Sequence, residues 1–222
     1  MSWRLIVFDW DGTLMDSQAR IVASLRAAAR DIAAPERSDS ELADVIGLGL
    51  VEALQQLFPE LEPADQTQLV ERYRHHFLVA EPTPTRLFDG VGELLAQLEA
   101  AGYLLAVATG KARRGLDRVL AETGLKGRFH ATRCADESRS KPHPQMLLEV
   151  MELTGVAAHE TVMVGDTVYD LEMARHAGTA SVGVSWGVHA VERLQGCAPL
   201  ACIDRWDELP ALLASTRPEV KG

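Results

Sequence analysis

The chain has 222 residues, 47% of them apolar, and a formal net charge of −10 from 22 basic and 32 acidic side chains. This size and composition describe a globular protein that needs no disulfides for its core. The negative charge disfavours nucleic acid and anionic membranes as partners. The three cysteines lack Cys-x-x-Cys spacing, so the sequence predicts neither a disulfide framework nor a zinc site.

The first predicted element is a buried strand at Leu5–Phe8, an unbroken run of apolar residues. This run is too short for a signal peptide, and no apolar run approaches the ~18 residues that a transmembrane helix requires. Reduced, buried cysteines are typical of the cytosol, so we expect a cytoplasmic protein without a membrane partner.

Two carboxylates follow this strand, in the stretch Asp9–Leu14, which reads Asp-Trp-Asp-Gly-Thr-Leu. Asp9 and Asp11 are spaced i, i+2 and point the same way at the carboxyl end of the strand, where ligands bind in open α/β sheets. Two close like charges are unfavourable unless a cation offsets them, so this pair indicates more than a surface turn.

Residues 16–82 are predicted to be entirely helical, because apolar residues recur there at helical spacing. Ser38 with Glu41 three residues later forms a capping-box pattern at the start of one of these helices. The block interrupts the chain directly after the first strand, which predicts an all-helical domain inserted into another fold. The two crossings, near residues 15–16 and 82–85, are candidate hinges.

From residue 83 onward, helical and strand patterns alternate, which predicts a doubly wound parallel sheet in an α/β fold. The predicted catalytic core is Rossmann-like and consists of residues 1–15 and 83–222. Its remaining strands are predicted at residues 104–108, 129–131, 161–164, 180–184 and 200–203.

Three further polar motifs accompany this alternation. Thr109-Gly110-Lys111 follows a strand, Lys141-Pro142 precedes a helix, and Gly165–Asp170, which reads Gly-Asp-Thr-Val-Tyr-Asp, lies between a strand and a helix. Taken alone, each is more often a loop start, a solvated lysine or a helix N-cap. Their order along the chain, taken together with the Asp9–Leu14 stretch, favours a shared functional site over these separate interpretations.

In that order, the motifs resemble the four signatures of the haloacid-dehalogenase-like phosphohydrolases, and the match spans the predicted core. The helical insert lies where one subclass of that family carries its cap domain. The resemblance implies that Asp9 attacks phosphorus to form an aspartyl-phosphate, that Asp11 is the general acid and base, and that Mg²⁺ is the cofactor. The site residues it implies are Asp9, Asp11, Thr109 and Lys141 for catalysis; Thr109, Gly110 and Lys141 for phosphate; and Asp9, Asp11 (through its backbone carbonyl), Asp166 and Asp170 (directly or through water) for the metal.

The presence of Asp11 favours phosphate chemistry, because the dehalogenases of this family lack the second aspartate of the first motif. Thr109-Gly110-Lys111 resembles the Thr-x-Lys of phosphoglycolate phosphatases, and Gly47-Leu48-Gly49 lies where those enzymes carry a Gly-x-Gly cap loop. The resemblance therefore implies a Mg²⁺-dependent phosphatase, monomeric or homodimeric, acting on small phosphorylated metabolites similar to phosphoglycolate. Related sugar phosphomutases place an arginine in that cap loop, whereas this chain has the apolar Leu50 nearby, which weighs against the mutase reaction.

Alternatives remain open from the sequence. The same site suits a pyrophosphatase, a nucleotidase or a sugar phosphomutase, and a non-catalytic protein could bind phosphate in the same shell. Gly183–Gly187 fits the Gly-x-Ser-x-Gly pattern of esterases, but His189 follows too closely for the order serine, acid, histidine. Four basic residues of the insert are candidates for contacts between the cap and a substrate, although a solvated helix face is the commoner role. They are Arg20, Arg72, Arg74 and His75.

Overall fold

The structure is a computed structural model that describes residues 2–216. Its strands are β1 (Leu5–Phe8), β2 (Met15–Asp16), β3 (Arg86–Leu87), β4 (Leu104–Thr109), β5 (Ala131–Cys134), β6 (Thr161–Gly165), β7 (Ala180–Val184) and β8 (Ala201–Ile203). Its helices are α1 (Gln18–Asp31), α2 (Asp39–Asp44), α3 (Leu50–Leu57), α4 (Pro63–His75), α5 (Val91–Ala100), α6 (Arg113–Glu122), α7 (Gln145–Thr154), α8 (Val168–Ala177), α9 (Val191–Gln195) and α10 (Glu208–Ser215). A π-helical turn, His76–Ala80, continues α4, and a short 3₁₀ turn, Ala158–Glu160, precedes β6.

The predicted α/β class is confirmed by a six-stranded parallel sheet in the order β5-β4-β1-β6-β7-β8. β1 lies at its centre, paired with β4 on one side and β6 on the other. After β1, the chain adds β4 and β5 on one side of it and then crosses to add β6, β7 and β8 on the other side. The carboxyl ends of β4, β1 and β6 therefore form the crevice at which open α/β sheets bind ligands.

Alternate residues of β1 enter two different hydrophobic cores, one on each face of the sheet. Ile6 and Phe8 pack in the core that includes α5, α6 and α10, whereas Leu5 and Val7 pack in the core that includes α7 and α8. All four side chains are 0% exposed. This burial on both faces explains why the strand reads as an unbroken apolar run instead of an alternating one.

The inserted segment forms a helical bundle of α1–α4 and the π-helical turn, with a hydrophobic cluster of its own. The capping box of Ser38 and Glu41 is present at the start of α2. At the two chain crossings, β2 and β3 pair as a short antiparallel ribbon in which Met15 faces Leu87 and Asp16 faces Arg86. The ribbon joins the bundle to the sheet domain. The division of the chain into a core and a cap at residues 16–82 stays a prediction. Met1 and residues 217–222, which the predicted core includes, lie outside the described residues.

The prediction of a strand at residues 129–131 is wrong in position, because β5 begins at Ala131 and pairs with β4 up to Thr109 and Cys134. Phe129 instead packs edge-on against Trp10, with the ring centroids 6.3 Å apart. β5 is an edge strand whose central residues, Thr132 and Arg133, are polar and half-buried, so it carries no apolar signal. Within the described residues, no helix combines the length and apolar composition needed to traverse a bilayer.

Candidate active site

The predicted site residues of the first, second and fourth motifs lie at the same edge of the sheet. Asp9 directly follows β1, Thr109 ends β4, and Asp166 directly follows β6. The backbone N–H of Asp9 donates to the carbonyl oxygen of Val164 at 2.9 Å, which ties the end of β1 to the neighbouring strand β6. Parallel pairing of the three strands therefore brings these residues together.

Three carboxylates and one ammonium form the centre of the site. Asp9, Asp166 and Asp170 each contribute an oxygen to a group whose atoms all lie within 4.8 Å of one another. Lys141 Nζ donates to Asp9 Oδ1 and to Asp170 Oδ1, each at 2.6 Å. None of these four residues is more than 2% exposed. The cluster carries more negative than positive charge in a place that water scarcely reaches, which favours a bound cation.

Burial and mutual repulsion shift the ionisation of these groups. Burial raises the pKa of Asp9 well above its usual range; Lys141 opposes this shift, and Asp170 and Asp166 add to it. Burial and then the charge of Asp170 raise the pKa of Asp166 to about 7. Burial by itself lowers the pKa of Lys141, but Asp170 and Asp9 outweigh it and hold that pKa above its usual value. Lys141 is thus charged, and the carboxylates need a further positive charge to ionise together.

Hydrogen bonds fix the two carboxylates that flank Asp9. Asp166 accepts from Thr13 Oγ1 at 2.8 Å and from the backbone N–H of Val188 at 2.9 Å. Asp170 Oδ2 accepts from the backbone N–H and the hydroxyl of Thr167, at 3.1 and 2.7 Å, in a capping box that begins α8. Both oxygens of Asp170 are therefore engaged, one by the helix cap and one by Lys141.

Asp9 Oδ2 differs from the carboxylate oxygens of Asp166 and Asp170. It is buried, and none of the described residues donates a hydrogen bond to it. An unsatisfied carboxylate oxygen in a buried site is costly unless a ligand or ion completes it. This atom is therefore available to a cation or to an electrophilic phosphorus.

Asp11 lies apart from the three-carboxylate group and has partners of its own. Lys111 Nζ donates to Asp11 Oδ1 and Oδ2 at 2.8 and 2.9 Å, and Ser17 Oγ donates to Asp11 Oδ1 at 2.6 Å. The side chain of Asp11 contributes no oxygen to the group that Asp9, Asp166 and Asp170 form. Its predicted metal contact through the backbone carbonyl stays a prediction.

Thr109 and Gly110 lie where the helical bundle approaches the sheet edge. Thr109 is fully buried, and its hydroxyl oxygen accepts the backbone N–H of Lys111 at 3.1 Å, which uses a lone pair and not the hydroxyl hydrogen. A Cβ added at Gly110 would overlap the carbonyl oxygens of Gly47 and Leu48, so only glycine permits this approach of the bundle loop. Beside it, the backbone N–H of Gly49 donates to Ser140 Oγ at 2.8 Å.

The bundle makes a second contact with the sheet domain around Asp44. The hydroxyl of Tyr169 donates to the carbonyl oxygen of Asp44 at 3.0 Å, and Arg193 forms an ion pair with the Asp44 side chain. Arg20, a candidate cap contact, instead donates to the carbonyl oxygen of Phe77, at 3.0 Å from Nε and 2.6 Å from Nη2, and so supports the π-helical turn.

Sequence reasoning missed Ser17, the backbone N–H of Val188 and Gly187 as supports of the site. Gly187 ends the Gly-x-Ser-x-Gly pattern, and a Cβ at this position would overlap the Cβ and carboxyl group of Asp166. His189 Nδ1 accepts the backbone N–H of Val168 at 3.0 Å, so His189 supports the start of α8. The end of the Gly-x-Ser-x-Gly stretch therefore belongs to the loop that covers Asp166.

Gly187→Ala is expected to lower turnover by roughly 10²-fold, the size of effect that a displacement of about 1 Å of a positioned group produces. The new methyl group would push Asp166 out of the cluster or open the loop that donates to it. Gly92→Ala is the matched control, because no described atom lies within 4 Å of a Cβ there and the residue is exposed on α5. Steady-state kinetics on both variants tests this, and equal activity would show that the contact is easily relieved.

Comparisons with known proteins agree with this geometry. The sequence profile of the family described as haloacid dehalogenase-like hydrolase matches residues 6–184. The probable phosphatase IndB of Dickeya dadantii is 38% identical over 92% of this chain and 91% of its own length. The N-acetylmuramic acid 6-phosphate phosphatase of Pseudomonas aeruginosa is 31% identical over 84% of each chain. A crystal structure from Haemophilus somnus, described as a predicted phosphoglycolate phosphatase, superposes with a TM-score of 0.86 at 25% identity, covering 96% of this chain and 98% of the other.

Proposed function

Because the chain belongs to the haloacid dehalogenase-like hydrolase family, we propose that it is a phosphoric monoester hydrolase that releases phosphate from small phosphorylated metabolites. The observation that carries this proposal is the buried Oδ2 of Asp9, which accepts no hydrogen bond from the described residues and belongs to the carboxylate that Lys141 contacts. A carboxylate oxygen in that state has the position and the freedom to form a covalent bond to phosphorus.

In the proposed reaction, Asp9 Oδ2 attacks the phosphorus atom and the bond to the leaving-group oxygen breaks, which gives an aspartyl-phosphate on Asp9. Lys141, held by Asp9 and Asp170, places its positive charge beside the phosphoryl oxygens as negative charge gathers there. The Thr109 hydroxyl and the Gly110 N–H are proposed to donate to those oxygens.

Asp11 is the proposed general acid and base. It gives a proton to the leaving oxygen in the first step, and in the second step it takes a proton from the water that hydrolyses the aspartyl-phosphate. Its side chain contributes no oxygen to the three-carboxylate group and is paired with Lys111 instead of Lys141. General acid catalysis contributes ~10²–10⁴-fold, so the acid works together with the charge of Lys141 and with positioning.

The residues fit a divalent cation, and we propose Mg²⁺. The buried carboxylates outnumber the one ammonium beside them, and their oxygens are the donors that a hard cation prefers. Asp9, the Asp11 backbone carbonyl and Asp166 would hold it. Asp170, whose oxygens also accept from Lys141 and Thr167, would contribute directly or through water. Bound there, the ion would neutralise charge between the nucleophile and the phosphate dianion.

For the substrate, we propose a small phosphomonoester of the phosphoglycolate type. The helical bundle packs directly over the sheet edge, with the carbonyl oxygens of Gly47 and Leu48 against Gly110, and this close approach favours a compact leaving group. The relatives differ in what their names state, N-acetylmuramic acid 6-phosphate in one and phosphoglycolate in another, so the class is small phosphorylated metabolites.

The test is hydrolysis of p-nitrophenyl phosphate with Mg²⁺, followed by kcat/KM for phosphoglycolate, N-acetylmuramic acid 6-phosphate, a hexose phosphate, a nucleoside monophosphate and pyrophosphate. We expect phosphate release from the monoesters and the highest kcat/KM for a small acidic one. Phosphate binding without turnover in every case would instead favour the non-catalytic regulatory alternative. Preference for pyrophosphate would contradict the monoester assignment.

A further inference from the structure

The ammonium of Lys111 is enclosed between Asp11 of the sheet domain and the ring of Phe77 in the helical bundle. Lys111 Nζ lies 2.8 and 2.9 Å from the two oxygens of Asp11 and 5.0 Å from the centre of the Phe77 ring. The two charged side chains are 8% and 11% exposed. An ion pair this well covered keeps more of its interaction energy than a surface pair does.

Both ends of this arrangement are anchored. The backbone N–H of Lys111 donates to Thr109 Oγ1 at 3.1 Å, and its carbonyl accepts the N–H of Ala135 at 3.0 Å. On the bundle side, Tyr73 stacks on the Phe77 ring with a centroid separation of 5.7 Å, and the Arg20 guanidinium lies 5.2 Å from the centre of the same ring. The ring is thus fixed by α1 and α4, and Lys111 by the loop after β4.

The donors to Asp11 are distributed unequally between its two oxygens. Among the described residues, Oδ1 accepts from both Ser17 and Lys111, whereas Oδ2 accepts from Lys111 alone. Two donors on Oδ1 fix the plane of the carboxyl group, and Oδ2, which has one donor, is the oxygen that keeps a lone pair for the proton. A general acid must present that atom within hydrogen-bond reach of the leaving oxygen.

We propose that Lys111 is a positioning residue that holds Asp11 in line for proton transfer to the leaving-group oxygen. This inference rests on the proposed phosphatase function. Lys111 neither gives nor takes the proton: Asp11 Oδ2 gives it to the bridging oxygen as the bond from that oxygen to phosphorus breaks and the bond from Asp9 Oδ2 to phosphorus forms.

The test compares two substrates of similar size that differ in their need for an acid. p-Nitrophenolate leaves readily as an anion, whereas the alkoxide of benzyl phosphate needs a proton to leave. Lys111→Met, which keeps the length of the side chain and loses its charge, is expected to lower kcat/KM for benzyl phosphate on the order of 10–100-fold, a part of the full contribution of a general acid. The loss for p-nitrophenyl phosphate is expected to be smaller by about 10-fold, because its first step scarcely uses the acid.

A purely structural role of Lys111, or direct binding of the substrate, predicts something different. Equal losses for the two substrates would overturn the inference. Lys126→Met is the matched control, since Lys126 is an exposed lysine remote in sequence from these contacts, and it should change neither value. If Lys111→Met fails to fold, by circular dichroism and thermal unfolding, Lys111→Gln gives the same comparison of substrates.

A double-mutant cycle with Asp11→Asn makes the assignment specific to this pair. In the Asp11→Asn background, Lys111→Met should cost little more for benzyl phosphate, because the acid that Lys111 positions is already absent. Lys111→Arg, which can still donate to both oxygens of Asp11, should recover part of the loss. Additive effects of the two substitutions would contradict the proposal. A wild-type protein that hydrolyses neither substrate would overturn the phosphatase assignment itself, which is a different result from equal losses in an active enzyme.

Discussion

Asp9→Asn is expected to lower kcat by roughly 10⁴–10⁶-fold, the range found when the nucleophile of a covalent mechanism is removed. The amide keeps the shape of the carboxylate but removes the buried anionic oxygen, which accepts no hydrogen bond from the described residues. Turnover of p-nitrophenyl phosphate in saturating Mg²⁺ measures the loss. Undiminished hydrolysis by this variant would end the assignment of Asp9 as nucleophile.

The same substitution should leave the fold intact, which separates loss of chemistry from loss of structure. Burial raises the pKa of Asp9, so its ionised form destabilises the metal-free protein increasingly as the pH rises, whereas the amide carries no charge. Lys141 keeps Asp170 as a partner in the variant. We therefore expect a melting temperature at or above that of the wild type at pH 8. Asp65→Asn, an exposed aspartate of α4, is the control for the change of residue type.

Much of the site follows from the sequence because strand ends converge. A residue that directly follows a buried strand of a parallel sheet must lie at the carboxyl edge, so the apolar runs before Asp9, Thr109 and Asp166 suffice to bring these residues to one place. Their proposed roles depend on the family resemblance and remain to be tested. The sheet itself is predictable for the same reason, since strands buried on both faces read as unbroken apolar runs.

The contacts that complete the site have no comparable signal. Lys111 and Asp11 are 100 residues apart in the chain and follow two different strands. No local sequence pattern indicates that their side chains pair. The need for glycine at position 187 arises from Asp166 across a loop, not from the conformation of Gly187 itself. β2 and β3 have two residues each, too few to show the alternation by which strands are recognised. These features depend on how separate loops meet.

The unequal charge of the buried cluster links the fold to the proposed metal. Three carboxylates face one ammonium, and the residues that align them, Thr13, Thr167 and the N–H of Val188, act on Asp166 and Asp170 and not on Asp9 Oδ2. Within the described residues, the supports therefore surround the proposed nucleophile while its Oδ2 accepts no hydrogen bond. Such an arrangement is costly to the metal-free protein and becomes favourable when a cation completes it.

Chelation by EDTA is accordingly expected to abolish turnover, and Mg²⁺ to restore it. A readout that does not depend on activity is the melting temperature: an ion at 100 times its Kd stabilises the fold by ~2.7 kcal/mol, or about 5–10 °C for a protein of this size. The increase should be larger at pH 8 than at pH 5.5. Burial and Asp170 raise the pKa of Asp166 to about 7, so at pH 5.5 a proton competes with the ion, whereas at pH 8 the ionised cluster destabilises the metal-free fold and the ion relieves it.

Two variants make this prediction specific to the cluster. Asp166→Asn removes one of the grouped carboxylates and should lose most of the Mg²⁺-dependent rise in melting temperature, together with its dependence on pH. Asp65→Asn removes an exposed carboxylate of the helical bundle and should retain both. Because protons compete with the ion for the buried carboxylates, a shift that is equal at the two pH values would mean that the ion binds elsewhere. Turnover that survives complete chelation would contradict the metal role outright, even if Mg²⁺ binds.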